Sequence, residues 1–402
     1  MFIKSCDVSL IKNSRKEKTI QVVLNTYEGK FVCSAPSGKS KGKSEVLSYH
    51  VKGIGHSLKM LKVFCAKLKH KNFLIKKLSD IKKLTEVMHR FEAHHGKFGG
   101  NVFYVMEGVF LKAAAADKKL ELWEFINDSV NNGHKPKMPT AVGNLFGGGL
   151  HSNTLPGKRP DFQEFLLIPN EKTFSRGVTV NYRAYEYARW LLKTLRRNDE
   201  GALATSKTNE ESLEVMVKLS KKFKIRIGLD IAASSFYENG YYKYKNKDLI
   251  RDKTDQVDYI ERLILKFGIF YVEDPMQEED FSGFKQIMNT VKDYKKKSLI
   301  VGDDLTTTNI RLVRRAVASD SMNAMVIKPN QIGSILEVAE VVRYCKRHKI
   351  IMIFSHRSGE TMDDILGDYV VGFGGHFIKT GIYGRERLIK LKRVMDIERS
   401  LR

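Results

Sequence analysis

The sequence lacks most of what marks secreted, thiolate-metal and membrane proteins. Four cysteines, Cys6, Cys33, Cys65 and Cys345, are scattered over 402 residues. They share no metal-ligand or redox spacing, which argues against a disulfide framework and for reduced thiols. No run of about 18 apolar residues occurs, so no membrane span is expected. The opening MFIKSCDVSLIKNSRKEK has no apolar stretch of signal-peptide length before its charges resume, and the expected location is the cytoplasm. Tandem repeats, low-complexity tracts and a glycine-rich dinucleotide fingerprint are missing as well. Acids are the scarce charge, 46 against 70 Lys plus Arg, for a formal net charge of +24.

What is present supports a large folded core. Hydrophobic residues make up 42%, too many for a disordered chain. The length suits a small domain followed by a larger one, with boundaries expected at 1–128 and 138–402. A balance this basic raises nucleic acid, an anionic surface or an anionic substrate as partners. Much of the excess sits in KMLKVFCAKLKHKNFLIKKLSDIKK (59–83), where apolar residues recur at roughly helical spacing and lysines fill the other faces. That pattern reads as a solvated surface, without the aromatic interleaving of a nucleic-acid motif.

Along the chain, TIQVVLNT and KFVCSA read as short strands joined by a YEG turn, followed by a glycine-bearing loop, PSGKSKG (36–42). Helical patterns then dominate to about Asp128, and NDSVNNGHKPKMP (127–139) reads as a linker. Beyond it the rhythm changes. The apolar runs EFLLIP, IRIGLD, IFYVED, LIVGDD, AMVIK, IIMIFS and HFIKT alternate with helix-length segments such as SILEVAEVVRYCKRH. Near-continuous apolar strands of this kind are buried on both faces of a parallel sheet. Their number favours a (β/α)8 barrel, an α/β fold, over an open doubly wound sheet.

The chemistry is written at the ends of those strands. IRIGLD ends at Asp230, IFYVED at Glu273 and Asp274, LIVGDD at Asp303 and Asp304. AMVIK ends at Lys328, IIMIFS runs into His356, Arg357 and Ser358, and HFIKT carries Lys379. Parallel barrel strands deliver their C-terminal ends to one rim. Three carboxylates converging there repel one another, and an all-oxygen set of this kind selects a hard cation such as magnesium. Lys328 is the candidate base, with its pKa expected to be pushed down by burial and by the metal, Lys379 and Arg357. The Arg357 fork and the Ser358 hydroxyl suit a phosphate.

At this point the chain resembles the enolase family over nearly its whole length. The runs GLDIAASSFY, YVEDP, VGDDLTTTN, KPNQIGS, SHRSGET and IKTG carry the resemblance in the barrel half. PSGKSKG is similar to the family's PSGASTG loop, and KFGGNVFYVMEGVFLKAAAA to its helix pair. The resemblance implies a small N-terminal α+β domain, a barrel and two magnesium ions per site. It also implies reversible dehydration of 2-phosphoglycerate to phosphoenolpyruvate, in glycolysis and gluconeogenesis. Carried over, it gives the first magnesium to Asp230, Glu273 and Asp303, and the second to Ser40. Lys328 becomes the C2 base, the Lys-plus-magnesium arrangement already described for this superfamily. Glu200, supported by Glu164, becomes the acid at the C3 hydroxyl. Gln163, His151, His356, Arg357, Ser358 and Lys379 become substrate contacts, and a dimer or larger ring is implied.

The chain departs from the family in places. SRKEKTIQV replaces SRGNPTVEV, and DEGA has Ala202 where the family's DEGG has its second glycine. NTLPGKRPD lengthens the segment between His151 and Glu164, and Pro329 stands beside Lys328. Lys39 and Lys41 enter the PSG loop, where they read as solvated charge. The alternative raised by the net charge is a basic binding protein on the same scaffold.

Overall fold

A computed structural model of the chain describes residues 1–39, 42–152, 158–294 and 297–402. It opens with an antiparallel meander of β1 (Ser5–Lys12), β2 (Lys18–Asn25) and β3 (Lys30–Ser34). β2 alternates, and its Ile20, Val22 and Leu24 are fully buried on one face, as a strand's twofold period requires. Four helices follow: α1 (Ile54–Leu68), α2 (Lys82–His95), α3 (Gly100–Asp117) and α4 (Leu122–Asn131). α3 is buried on all sides except near its C-terminal end, because it lies against β2 and β3 and also meets helices of the second half.

Two local expectations change here. Segment 59–83 is not continuously helical: α1 stops at Leu68, and His70 takes a left-handed backbone with φ 62°. The chain then extends with Phe73 and Ile75 buried. It extends because its backbone pairs with the chain start, through Ile3 N–H to Lys71 O and Phe73 N–H to Met1 O, each 3.0 Å. The connector expected from 127 begins after α4, at Asn132, whose left-handed φ of 53° ends that helix.

The second half closes into a barrel. β4 (Thr140–Gly147) and β5 (Glu164–Pro169) form a hairpin followed by α5 (Phe174–Leu191), the two-residue strand β6 (Leu203–Ala204) and α6 (Asn209–Phe223). β7 (Ile225–Asp230) leads into a small surface sheet of β8 (Tyr237–Glu238), β9 (Tyr241–Tyr244) and β10 (Leu249–Arg251), then α7 (Lys253–Phe267). After these come β11 (Tyr271–Glu273), α8 (Phe281–Asp293), β12 (Leu299–Gly302) and α9 (Ile310–Ala318). β13 (Ala324–Ile327), the short α10 (Pro329–Ile332), α11 (Ile335–Arg347) and β14 (Ile351–Ser355) follow. α12 (Ile365–Gly372), β15 (Phe377–Lys379) and α13 (Arg385–Ser400) complete the chain. Around the barrel the order is β4, β5, β7, β11, β12, β13, β14, β15, and β15 pairs with β4 to close it.

The barrel is not wholly parallel, as the apolar runs had suggested. β5, the EFLLIP run, pairs antiparallel with both β4 and β7. Reversal places the start of β5 at the rim where the other strands end, and Glu164 lies directly opposite Asp230. Beneath that rim the interior is solid. Val142, Leu166, Ile168, Tyr271, Val301, Val326, Ile353 and Phe377 form one buried cluster, so the barrel is a packed core and chemistry is confined to its mouth. No helix among the described residues is long and apolar enough to cross a membrane.

Candidate active site at the barrel mouth

Strand register builds the acidic floor. Asp230 is the partner of Glu273 across β7 and β11, and Glu164 is the partner of Asp230 across β5 and β7. Neighbouring strands lie about 4.8 Å apart, so three carboxylates are forced together, all nearly inaccessible to solvent. The Lys379 ammonium sits among them. Its Nζ donates to Asp230 Oδ2 at 2.8 Å and to Glu273 Oε1 and Oε2 at 2.9 and 2.8 Å, and lies 2.9 Å from Glu164 Oε2. Tyr271, rising from the barrel core, donates its hydroxyl to Glu273 Oε2 at 2.7 Å, and Gln163 Nε2 donates to Asp230 Oδ2 at 3.2 Å.

Burial, then the Asp230 charge beside it, pushes Glu273 well above the usual carboxyl range. Burial opposes the charge on Lys379 too, but Asp230, Glu164 and Glu273 outweigh it and raise the amine well above its ordinary pKa. The floor is thus a set of like charges held by one lysine cation.

Lys328 projects from the end of β13 at the start of α10, where Pro329 occupies the first helical position and loses nothing for want of an N–H. Its ammonium is paired with Asp303 Oδ2. Burial works against the charged amine, but Asp303 prevails and raises the pKa. The expected depression is therefore not found: the carboxylate partner outweighs burial and Arg357. Reciprocally, burial is overcome at Asp303 by Lys328 and Lys379, which hold its carboxyl below the usual range. Asp303 Oδ1, buried, has no hydrogen-bond partner among the described residues.

A second line of acids shapes the rim. Asp274, left-handed at φ 41°, accepts from the backbone N–H of Asp303 and Asp304 at 2.9 and 2.7 Å. It fixes the loop after β12 rather than facing the Lys379 cluster. Burial, then the neighbouring Asp303, lifts Asp304 to about 7.

On the opposite wall, Glu200 lies 4.0 Å from His356 Nε2, and ligand atoms of Glu164, Glu200 and His356 fall within 4.8 Å of one another. His356 Nδ1 lies 2.9 Å from Arg387 Nη1. Arginine can only donate, so Nδ1 accepts and the ring proton is on Nε2, facing Glu200. Burial, helped by Arg387, pushes this imidazole well below its normal range, and it is neutral. The alanine in DEGA is harmless. Gly201 carries the left-handed turn at φ 82°, while Asn198 Oδ1 accepts from the N–H of Glu200 and of Ala202 at 3.0 and 2.9 Å.

Arg357 and Ser358 face the PSG loop. Arg357 grips Glu45 with both Nη atoms at 2.9–3.0 Å, and Ser358 Oγ accepts from Lys39 N–H at 2.8 Å. Ser37 and Gly359 exchange backbone bonds of 2.8 Å, joining the two loops as a miniature sheet. Lys39 is exposed, as its charge suggested, but its ammonium also has protein partners: Nζ donates to Leu150 O at 2.7 Å. Ser40 and Lys41 lie outside the described residues, as does the side chain of His151, whose backbone ends a 3-10 turn, Gly149–His151.

The structure thus brings Glu164, Gln163, Asp230, Glu273, Asp303, Lys328, Lys379, Glu200, His356, Arg357 and Ser358 to one mouth, several of them around a cavity of about 30 Å³. That is room for a water or two. A larger cleft of about 980 Å³ lies in the N-terminal half between Phe64, Phe73 and Phe91, rimmed by Lys67, Lys71 and Arg90; no acid among the described residues lines it. Sequence reading did not find Glu45, Tyr271, Arg387, Asn198 or Asp199, which have no spacing signal and act through contacts across the fold.

The donor chemistry of the floor suits a divalent cation, and on its rim ligand oxygens of Asp274, Asp303 and Asp304 lie within 4.8 Å of one another. The floor's donors are all carboxylate oxygens, three of these acids already surround an ammonium, and Asp303 offers an unpartnered buried oxygen.

Comparison with known proteins agrees with the geometry. Residues 135–402 match the family model described as Enolase, C-terminal TIM barrel domain. The chain is 32% identical to the enolase of Picrophilus torridus, over 99% of each chain. It is 33% identical to that of Thermoplasma acidophilum, over 99% of this chain and 98% of the relative. With the enolase of Methanosphaera stadtmanae it shares 31%, over 98% and 97%. Acids, lysines and the His-Arg-Ser turn at one barrel mouth, together with full-length similarity, place the chain in the enolase family of hydro-lyases.

Proposed function

We propose that this protein catalyses the magnesium-dependent, reversible dehydration of 2-phosphoglycerate to phosphoenolpyruvate, with residues 1–128 capping a catalytic barrel over 138–402. One observation carries the reading. A single mouth combines a lysine on an acid (Lys328 with Asp303), a carboxylate floor around Lys379 and a guanidinium-hydroxyl pair at Arg357 and Ser358.

Asp230, Glu273 and Asp303 would hold magnesium, which supplies positive charge against the substrate carboxylate as C2 loses its proton. Lys328 takes that proton. With Asp303 engaged by another cation, burial first and then Arg357 would lower the Lys328 pKa toward that of a working base, against the smaller opposing charges of Asp304 and Glu273. Glu200, supported by Glu164, protonates the departing C3 hydroxyl, and neutral His356 stands beside it with its Nε2 proton. Arg357, Ser358 and His151 grip the phosphate, Lys379 contacts the carboxylate, and Gln163 lines the same cavity. A second magnesium would use Ser40.

The test is growth of enol-phosphate ultraviolet absorbance from 2-phosphoglycerate, with magnesium and after chelation. Lys328→Ala is expected to lower kcat by at least 10²–10⁴-fold, the usual contribution of a general base. A metal-loaded wild-type protein that leaves the substrate unchanged refutes the reading.

A further inference from the structure

Five chain segments meet over the mouth, and two basic residues tie them together. Arg15 comes from the β1–β2 turn and Lys39 from the PSG loop. Both reach Asp199, with Arg15 Nε at 3.8 Å and Lys39 Nζ at 3.7 Å from its Oδ2. Both also reach Ser358, through Arg15 Nη1 at 3.2 Å and the Lys39 N–H at 2.8 Å. Lys39 Nζ adds the carbonyl of Leu150, in the turn that leads to His151. Arg15 and Asp199 are largely shielded, at 17% and 19% exposed, while Lys39 reaches them from the exposed PSG loop with its side chain 32% exposed. Asp199 immediately precedes Glu200 in a tight turn held by Asn198 and Gly201. A displacement of Asp199 is therefore passed directly to Glu200.

We propose that Lys39, with Arg15, is a positioning residue: through Asp199 it sets the place of Glu200, and it couples that acid to the phosphate-side residue Ser358. The proposal rests on the hydro-lyase reading above. It accounts for a lysine in a loop where the family motif PSGASTG has alanine.

The two halves of the reaction separate the idea from a general structural role. In deuterated water, removal and return of the C2 proton by Lys328 exchanges it for deuterium, whereas loss of the C3 hydroxyl as water needs the proton of Glu200. For Lys39→Met, dehydration is expected to fall on the order of 10-fold while C2 exchange, followed by NMR, stays within about twofold of wild type, the result of a small misplacement of one reacting group. Lys39→Arg, which keeps the cation, is expected to restore dehydration. Equal loss of exchange and dehydration, or loss of neither, overturns the proposal. Amide hydrogen exchange over residues 198–202 keeps the clasp separate from the reaction assignment. It is expected to rise in Lys39→Met whether or not the wild-type chain turns over 2-phosphoglycerate, and unchanged protection there overturns the clasp.

Discussion

Replacing Lys379 with methionine keeps the length of the side chain and removes the ammonium shared by Asp230, Glu273 and Glu164. Taking one partner from a buried ion pair costs about 3–5 kcal/mol, because the remaining charge has no solvent to turn to. At roughly 2 cal/mol/K of unfolding entropy per residue, that cost in a 402-residue chain lowers Tm by about 4–6 °C. The cost is not independent of pH. Burial and Asp230 already raise Glu273, and without Lys379 the pKa rises further, so the folded protein binds a proton that the unfolded chain does not. Native stability then falls as pH rises above the ordinary carboxyl range, and the deficit against wild type widens with rising pH. Magnesium, which these carboxylates are proposed to hold, is expected to recover part of the loss. Calorimetric melts of both proteins, at two pH values, in chelator and in saturating magnesium, measure all of this. A Lys379→Met protein that melts with wild type in chelator at the higher pH refutes the claim that this lysine compensates the floor.

Two further substitutions probe the cap. A Cβ on Gly38 would fall on Arg357 Nη2 and 2.7 Å from its Cζ, so Gly38→Ala displaces the guanidinium; kcat/KM is expected to drop on the order of 10²-fold with little change in Tm, and unaltered kinetics would show that Arg357 moves aside without consequence. Glu107 is fully buried beneath Ile335, Ser334 and Thr85, and burial raises it to about 7. Being protonated in the fold but not in the unfolded chain, it withdraws stability as pH rises from its unfolded value through 7. Glu107→Gln is expected to gain on wild type by up to about 3 kcal/mol between about pH 5 and pH 8; a pH-independent difference in denaturant melts rejects this.

Much of the architecture can be read from local pattern. Seven of the barrel strands announce themselves as apolar runs, since a strand covered on both faces needs no polar alternation. β4 does not, because Gly143, Asn144 and Gly147 interrupt TAVGNLFG. The direction of β5 is also silent, since an apolar run reads alike whichever way it is laid into a sheet.

The sequence by itself determined which chemical groups reach the barrel mouth: acids, lysines and a His-Arg-Ser turn at strand ends, as the connectivity of a barrel requires. Tertiary structure alone decided how they are used. It put Glu164 opposite Asp230 by reversing β5, gave Lys379 to three carboxylates and Lys328 to Asp303, and fixed the neutral His356 tautomer through Arg387. It also made Lys39 a tie between loops where its composition read as surface charge. Ionisation and pairing depend on through-space distance and on exclusion of water. Residues as remote as Lys39 and Asp199 acquire both only when the chain has closed.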